Sequence, residues 1–454
     1  MKIIVAGGGK VGAALIRQLS AEGYDLTLID TNTSVLERTM NLYDVMAVQG
    51  NCATMSALTQ AGVEDADLLI AATNADEMNL LCCVTAHAMN PKLHTIARIR
   101  NPDYSDQIYR MRSSFGLSLT VNPEQQAATE IHRLLKYPGF LRRETFAKGR
   151  VEIVELRIDR GSKLCNVTLG NLGSVVNCRV LVCAVLRDGT AIAPSGNFSL
   201  QEGDRIFVTA PTTTLSVMLR NLGVITRPVK RAILCGGGRV SYYLAKMLEK
   251  DGVSVQLIER NYDRCVELAT LLPDVRVLHG DATSQTLLDS EDIDRADALV
   301  TLTGLDELNI VISLYGNSRG VPQIITKLGR MESTGIVDDL PLGSLIYPKE
   351  LCSNTIVRYV RAMQNQSGAA LSVHAIADGQ MEAVEFMVDD TTLHCGVPLK
   401  ELKLRSNVLV ACINHIGGTE IPNGNSCFRK GDSIVLVTPA NRHLLQLNDI
   451  FDRG

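Results

Sequence analysis

Short apolar runs alternate with helix-period segments through the first part of the chain. Runs rich in Val, Ile and Leu predict strands near residues 2–6, 26–29, 45–48, 68–72, 95–99 and 119–121. After the first run, Val11, Leu15 and Leu19 recur at intervals of four and Gly23 follows, which predicts an amphipathic helix and its end. Because strand and helix alternate, we expect an α/β fold with a doubly wound, Rossmann-type parallel sheet.

A different pattern occupies about residues 151–210. Three apolar runs, VEIVELRI, RVLVCAVL and RIFVTA, lie close together, and the second is followed by Asp188-Gly189, a dipeptide typical of a hairpin turn. These runs predict a small, mainly antiparallel lobe. Pro138-Gly139 and Pro228 lie where linkers would bound such a lobe.

The second half of the chain repeats the first. KIIVAGGGKVG at 2–12 matches RAILCGGGRVS at 231–241, and DADLLIAATNADEMN at 65–79 matches RADALVTLTGLDELN at 295–309. The small-lobe pattern recurs from about 370 to 439, with Gly417-Gly418 in the turn. We therefore expect two Rossmann-type nucleotide-binding lobes, each followed by a small, mainly antiparallel α+β lobe. The expected boundaries are 1–137, 138–227, 228–361 and 362–454.

Composition and charge narrow the classes of function. The 454 residues include 45 Lys or Arg and 49 Asp or Glu, and the formal charge of −4 argues against a general affinity for nucleic acid or anionic lipid. No apolar stretch reaches the roughly 18 to 20 residues that cross a bilayer, and the first strand follows Met1 too closely for a signal peptide. We therefore expect a cytoplasmic protein. The 12 cysteines show no C-x-x-C spacing, so neither a zinc site nor a disulfide framework is predicted.

The first candidate site is the turn between the first strand and the first helix. In its G-x-G-x-x-G pattern the first glycine permits a tight turn, the second lets backbone amides approach a diphosphate, and the third lets helix and strand pack closely. Asp30 ends the second strand, where a carboxylate accepts hydrogen bonds from an adenosine ribose and repels a 2′-phosphate. NAD(H) or an adenine nucleotide is thus favoured over NADP(H). The residues of this site are Gly7, Gly8, Gly9, Lys10, Val11, Gly12 and Asp30.

Further candidates lie at the ends of later strands. Thr73 and Asn74 follow the fourth strand, beside the point where ligands lie across such sheets, and a strand-to-helix cap is the alternative explanation. Arg98 ends the fifth strand and could reach a phosphate, with a surface ion pair as its alternative. Asp76 and its repeat Asp306 open helices, where an acid complements the helix dipole and a cation site is the alternative.

The second half carries a related turn with one departure. Ser241 replaces the third glycine, which makes close packing of helix and strand less certain there. Two interpretations stay open: the turn binds a nucleotide more weakly, or it is purely architectural. The residues of this second candidate site are Gly236, Gly237, Gly238, Arg239, Val240 and Glu259.

The sequence shows no sign of a catalytic domain. A hydride-transfer enzyme presents a substrate to the nicotinamide from a further domain, and two duplicated pairs of lobes use up this chain. The patterns H-E-x-x-H, G-x-S-x-G and the Walker A lysine motif do not occur. We therefore favour a nucleotide-sensing regulator over its alternatives, an NAD-dependent oxidoreductase or a soluble nucleotide-binding scaffold without a membrane partner.

Several of these segments together resemble the TrkA family, the peripheral NAD-binding subunits of Trk potassium uptake systems, which carry two tandem RCK units. The segments are IIVAGGGKVG at 3–12 with Asp30, ATNADEMN at 72–79, GDAT at 280–283 and GVPLKELKL at 396–404. The resemblance implies a non-enzymatic regulator on the inner face of the cell membrane, bound to a potassium-translocating partner of the TrkH or TrkG type. It also implies self-association into a ring, as a homotetramer, and control by NAD(H), with ATP or ADP at the same glycine turns.

Overall fold

The chain forms two compact units, each built from both halves of the sequence. The computed structural model describes residues 1–112, 114–136, 142–223, 228–329, 340–363, 370–440, 444 and 446–452. Met1–His132 and Lys230–Val357 form one unit, here called the Rossmann unit. Arg133–Val229 and Arg358–Gly454 form the other, the small-lobe unit. Lobes of the same type therefore pack together, although the two types alternate along the chain. The four lobe boundaries expected from the sequence remain a prediction.

The first lobe of the Rossmann unit has a six-stranded parallel sheet of order β3-β2-β1-β4-β5-β6, as the alternation of strand and helix predicts. Its strands are β1 (Lys2–Ala6), β2 (Asp25–Asp30), β3 (Met46–Gln49), β4 (Leu68–Ala71), β5 (His94–Arg98) and β6 (Leu119–Val121). Its helices are α1 (Lys10–Ala21), α2 (Thr33–Leu42), α3 (Met55–Gln60), α4 (Asp76–Met89), α5 (Pro102–Met111) and α6 (Pro123–Lys136).

The apolar pattern of α1 places its buried face as predicted. Val11, Leu15 and Leu19 are 3% exposed or less, and Gly23 follows the helix with a φ of +76°. A left-handed residue ends a helix because it cannot continue the hydrogen-bond pattern, and glycine adopts that conformation at little cost. Strand β4 is buried along its whole length, as expected for a central strand covered on both faces.

The first small lobe is an antiparallel sheet of order β10-β9-β11-β8-β7. It comprises β7 (Arg142–Phe146), β8 (Val151–Arg157), α7 (Leu172–Val176), β9 (Leu181–Arg187), β10 (Thr190–Ile192), β11 (Arg205–Pro211) and α8 (Thr212–Leu222). Asp188 and Gly189 have φ values of +51° and +72° and form the two-residue turn between β9 and β10, as predicted. Strand β7 precedes the three apolar runs from which this lobe was predicted. Pro138-Gly139 lies outside the described residues.

The second half repeats both sheets. Its parallel sheet has the order β14-β13-β12-β15-β16-β17 and its antiparallel sheet the order β18-β19-β22-β20-β21. The parallel strands are β12 (Arg231–Cys235), β13 (Ser254–Glu259), β14 (Arg276–His279), β15 (Ala298–Thr301), β16 (Gln323–Lys327) and β17 (Ser344–Ile346). The antiparallel strands are β18 (Ala370–Ile376), β19 (Met381–Met387), β20 (Leu409–His415), β21 (Gly418–Glu420) and β22 (Ser433–Pro439). The helices are α9 (Arg239–Lys250), α10 (Tyr262–Leu271), α11 (Gln285–Ser290), α12 (Asp306–Ser318) and α13 (Pro348–Met363).

The predicted position of the second hairpin turn is wrong by one residue. Gly418 is already the first residue of β21 and pairs with His415, so the turn consists of Ile416 and Gly417. The pair of glycines suggested a turn centred on both of them, but cross-strand pairing fixes the register.

The two lobes of the Rossmann unit are joined through reciprocal helix contacts. In one direction, Arg17 of α1 forms an ion pair of 2.7 Å with Glu350 of α13. In the other, His132 of α6 lies 2.7 Å from Asp251, the residue that follows α9. The first helix of each lobe therefore meets the last helix of the other.

No helix in the described part of the chain is long and apolar enough to span a bilayer.

The two lobes of the small-lobe unit share one hydrophobic core. A single cluster contains buried side chains from both halves of the chain, and each half contributes equally. From the first half these are Phe146, Ala147, Val151, Ile153, Cys183, Ala184, Leu186 and Phe207. From the second half they are Ile376, Ala377, Met381, Ala383, Ala411, Cys412, Val435 and Val437. Apolar faces of two sheets cover each other, so neither lobe is expected to keep its fold alone.

We predict that Phe207→Ala destabilises both small lobes together. Phe207 is 2% exposed within the shared core, and such a truncation costs about 3–5 kcal/mol of the free energy of unfolding. Hydrogen exchange should therefore become faster in both β8 and β19. Met387→Ala, at a side chain that is 42% exposed, is the control and should change little. Faster exchange confined to the first small lobe would contradict a shared core.

Candidate nucleotide-binding site

Steric contacts leave no room for side chains at three glycines of the first turn. A Cβ on Gly12 would lie 1.9 Å from the carbonyl oxygen of Gly7, and a Cβ on Gly8 would lie 2.4 Å from Cγ1 of Val35. Gly7 has a φ of +99° and sits against the backbone of Thr73. Gly7 and Gly12 are the first and third glycines of the G-x-G-x-x-G pattern, and their surroundings require glycine for the reasons that the pattern predicts. Gly8 is an intervening residue of the pattern and is confined by Val35.

The remaining glycine of this turn is open on its outer side. A Cβ on Gly9 would meet nothing within 4 Å, which leaves space for the atoms of a ligand. Gly9 caps α1 without a side-chain hydrogen bond, and α1 has no acidic residue in its first turn. The amides of Lys10 and Val11 lie in this first turn, where helix N–H groups lack intrahelical acceptors and favour an anion.

Asp30 links the turn to the second strand. One carboxylate oxygen accepts a hydrogen bond from the amide of Gly8 at 2.7 Å, and the other accepts from the amide of Asn32 at 2.8 Å. The predicted acid therefore lies directly beside the glycine turn, held in place by two backbone amides. Its remaining lone pairs are available for ribose hydroxyls.

Asn79, which the sequence analysis did not assign to the site, holds the ends of β4 and β5 together. Its Oδ1 accepts from the amide and the hydroxyl of Thr73, at 2.8 and 2.7 Å, and its Nδ2 donates to the carbonyl of Arg98 at 2.8 Å. Asn79 is fully buried, and Asn309 makes the same bonds to Thr303 and Lys327. The recurrence of this asparagine in both halves was the available signal.

Thr73 and Asn74 thus form hydrogen bonds within the protein, beyond the end of β4. The hydroxyl of Thr73 binds Asn79, and the carbonyl of Asn74 accepts a hydrogen bond from Arg100. Helix α4 is capped by Ala75 without a side-chain hydrogen bond, so neither residue acts as the expected N-cap. The side chain of Asn74 stays exposed beside the site.

Asp76 and Asp306 anchor loops. Asp76 is buried and accepts from the amides of Arg100 and Asn101, both at 2.7 Å, while Asp306 accepts from the amide of Gly329 at 2.8 and 2.9 Å. Each carboxylate therefore fixes the segment that leaves the fifth strand of its sheet. In the described ranges, no group of three or more His, Cys, Asp or Glu residues is arranged to hold a metal ion.

Arg98 is not the surface residue that one interpretation expected. Its side chain is 13% exposed, and its Nη2 lies 3.8 Å from Oε1 of Glu124. Burial lowers the pKa of Arg98, against the influence of Glu124. Within the described residues its Nε has no hydrogen-bond partner, and neither has Oε2 of Glu124. A buried guanidinium with an unused donor at the carboxyl end of β5 suits an anionic ligand.

The second turn keeps the backbone geometry of the first. Gly236 has a φ of +107°, and the amide of Gly237 donates to Glu259 at 2.6 Å. Gly238 is open on its outer side and caps α9, which begins with Arg239 and Val240. All the residues assigned to this turn therefore come together around one helix N-terminus.

Two side chains distinguish the second turn. Ser241 is fully buried, and its hydroxyl donates to the carbonyl of Gly236, so a small polar side chain fits where glycine was expected. Arg264 donates from Nε to the carbonyl of Gly237 at 2.8 Å. The first lobe has Val35 at the matching place in the sequence.

A doubly wound sheet with a glycine turn, an acid on the second strand and an open helix N-terminus defines the class of Rossmann-type nucleotide-binding domains. The chain carries two domains of this fold, and comparisons with known families agree with this. The TrkA-N domain model matches residues 3–123 and 232–348, and the TrkA-C domain model matches 153–223. The chain belongs to the TrkA family of Trk system potassium uptake proteins.

Relatives match over nearly the whole chain. The Trk system potassium uptake protein TrkA homolog of Archaeoglobus fulgidus is 32% identical over 437 residues, which cover 96% of this chain and 97% of the relative. The Trk system potassium uptake protein TrkA of Vibrio alginolyticus is 28% identical over 457 residues, covering 99% and 98%. The repeat seen in the sequence is therefore shared with full-length relatives.

Solved structures share the fold. The GsuK RCK domain superposes with a TM-score of 0.62 at 17% identity, covering 97% of this chain and 92% of that one. The GsuK channel bound to NAD superposes with a TM-score of 0.61 at 17% identity, covering 97% and 77%. These likenesses confirm two parallel Rossmann-type sheets, each followed by an antiparallel sheet.

We predict that Asn79→Ala loosens the first lobe at the carboxyl ends of β4 and β5. The change leaves the amide of Thr73 and the carbonyl of Arg98 without their partner, and each unsatisfied buried group costs about 1–3 kcal/mol of the free energy of unfolding. Denaturant unfolding measures the loss. Asn74→Ala is the control, since its exposed side chain should contribute less than about 0.5 kcal/mol. Equal stability of the two variants would contradict the assigned role.

Proposed function

We propose that this protein is a nucleotide-binding regulatory subunit of a potassium uptake system, located in the cytoplasm. The observation that carries the proposal is the first glycine turn, where an open helix N-terminus lies beside Asp30 in a chain of the TrkA family. Relatives that match over nearly their whole length are named as Trk system potassium uptake proteins.

The residues of the first turn suit NAD(H), and ATP or ADP as alternatives with the same adenosine diphosphate. Backbone amides at the start of α1 and the exposed Lys10 would hold the diphosphate, and Asp30 would accept the ribose hydroxyls. Arg98 would supply a cation at the far end of the ligand. The nucleotide would act as an effector, and the chain would bind and orient it without a chemical step.

A path from the site to the second lobe supports regulation. Tyr243 of α9 donates to the carbonyl of Arg100 at 3.2 Å and accepts from Asn122 at 3.0 Å. Arg100 lies in the loop that Asp76 anchors, immediately beyond β5. A ligand that moves this loop therefore changes a contact between the two lobes of the Rossmann unit, and it favours one arrangement by its difference in affinity for the two.

Proposed partners are a membrane-embedded potassium-translocating subunit of the TrkH or TrkG type and further copies of this chain in a ring, as a homotetramer. Leu81 of α4 and Val311 of α12 lie at matching positions of the repeat and are 53% and 57% exposed. Apolar side chains repeated on equivalent helices suit contacts that recur around an assembly.

We predict that Asp30→Ala weakens binding of NADH or ATP by about 10- to 150-fold, because a hydrogen bond to a charged group contributes about 1.5–3 kcal/mol. Gly9→Asp should also weaken binding, since it places a carboxylate where the diphosphate lies. Isothermal titration calorimetry measures both. Asp25→Ala, at the exposed start of the same strand, is the matched control. Unchanged dissociation constants for Asp30→Ala and Gly9→Asp would contradict the proposed site.

We predict that the purified protein does not turn over NADH. Absorbance at 340 nm, followed with candidate substrates, tests this, and repeated turnover would favour an NAD-dependent oxidoreductase.

Co-purification from native membranes should recover a potassium transporter, and potassium flux in reconstituted vesicles should change with nucleotide for the wild type and not for Asp30→Ala. A folded, oligomeric protein that recovers no transporter would favour a scaffold.

A further inference from the structure

Glu144 and His374 occupy equivalent positions in the two small lobes. Glu144 on β7 lies opposite Ile153, and His374 on β18 lies opposite Ala383. Each of these partners is the third residue of its strand, β8 or β19. The two antiparallel sheets also have the same strand order. The register therefore places Glu144 and His374 at the same point of the repeated lobe.

These equivalent side chains touch each other. Nδ1 of His374 is hydrogen-bonded to Oε2 of Glu144, and the side chains are 6% and 15% exposed. A local twofold axis between two repeats brings residues at matching positions together in this way. Phe146 and Ile376, which also match, lie together in the shared core and agree with this axis. The small lobes thus pair through the same face.

Three side chains form this contact, and each donates a hydrogen bond to the next, from Arg358 through His374 to Glu144. Nη1 of Arg358 lies 3.4 Å from Nε2 of His374, and a guanidinium can only donate. Nε2 is therefore the acceptor, so the ring proton lies on Nδ1 and is donated to Glu144. The second lobe contributes an arginine and an imidazole, and the first lobe contributes the carboxylate that accepts from the imidazole.

Two equivalent arginines approach this axis. Arg133 and Arg358 are each the eleventh residue of their helices, α6 and α13. Burial lowers the pKa of Arg358, the charge of Glu144 opposes this shift, and Arg133 adds to it. Positive charge therefore comes to the axis from both lobes, and Glu144 is the anion that balances it at Arg358.

We propose that Glu144 makes the first small lobe the partner that the second small lobe requires. A pair of two second lobes would bring two imidazoles and two Arg358 side chains to the axis without a carboxylate at this position. A buried charge that lacks its partner is strongly destabilising. The pairing face of the second lobe therefore fits a first lobe, from the same chain or from another copy, and rejects a second lobe.

A charge swap in the full chain tests this proposal. Glu144→Gln and Glu144→His should each lower the midpoint of thermal unfolding by about 5 °C or more, with faster hydrogen exchange in both β7 and β18. The double variant E144H/H374E returns a carboxylate to the axis from the other side and should recover most of the loss. Asp390→Asn is the control, because its ion pair with Lys430 is exposed, and its midpoint should change by less than about 1 °C.

Two results would overturn the proposal. One is a double variant that is no more stable than Glu144→His. That result would mean that a carboxylate returned from the other side does not restore the contact. The other is a Glu144→Gln midpoint equal to that of Asp390→Asn. The swap also distinguishes loss of this contact from simple misfolding, because two changes that each damage one lobe separately would not restore stability when combined.

Discussion

Burial of the apolar faces of the small lobes is the constraint on which the arrangement of this chain depends. Each small sheet has one face that packs against the other small sheet, and Phe207 and Val435 lie in the same cluster although 228 positions separate them. The lobes alternate in sequence, so two like lobes can meet only if the chain returns after a whole Rossmann lobe. Pairing by type within both units follows from this requirement.

The local sequence predicts the elements whose identity is set by their own residues. The six parallel strands, the burial of Val11, Leu15 and Leu19, and the Asp188-Gly189 turn all follow from periodicity or backbone conformation. The edge strand β7, RRETF, could not be predicted because it has three charged residues in five. It becomes a strand by pairing with β8, and its Glu144 is hydrogen-bonded to His374, which is distant in sequence.

In the candidate site, too, some features could be predicted from the local sequence and others depend on residues distant in the chain. The arrangement of the glycines and Asp30 could be predicted because it depends on backbone geometry within one β-turn-α segment. The role of Asn79 could not be derived from spacing, because it depends on β4 and β5 being neighbours in the sheet. The sequence left a phosphate contact and a surface ion pair open for Arg98, because the burial of its side chain depends on the packing around it.

Duplication allows one chain to make different residues meet at a symmetric position. In a pair of identical subunits a residue on the twofold axis meets its own copy, so a buried charge there meets a like charge. Here the copies have diverged, and a carboxylate on one side accepts from an imidazole on the other. The glycine turns have diverged in a similar way, with Arg264 beside the second and Val35 beside the first. Divergence at matching positions can therefore give the two halves distinct roles while the shared fold keeps them paired.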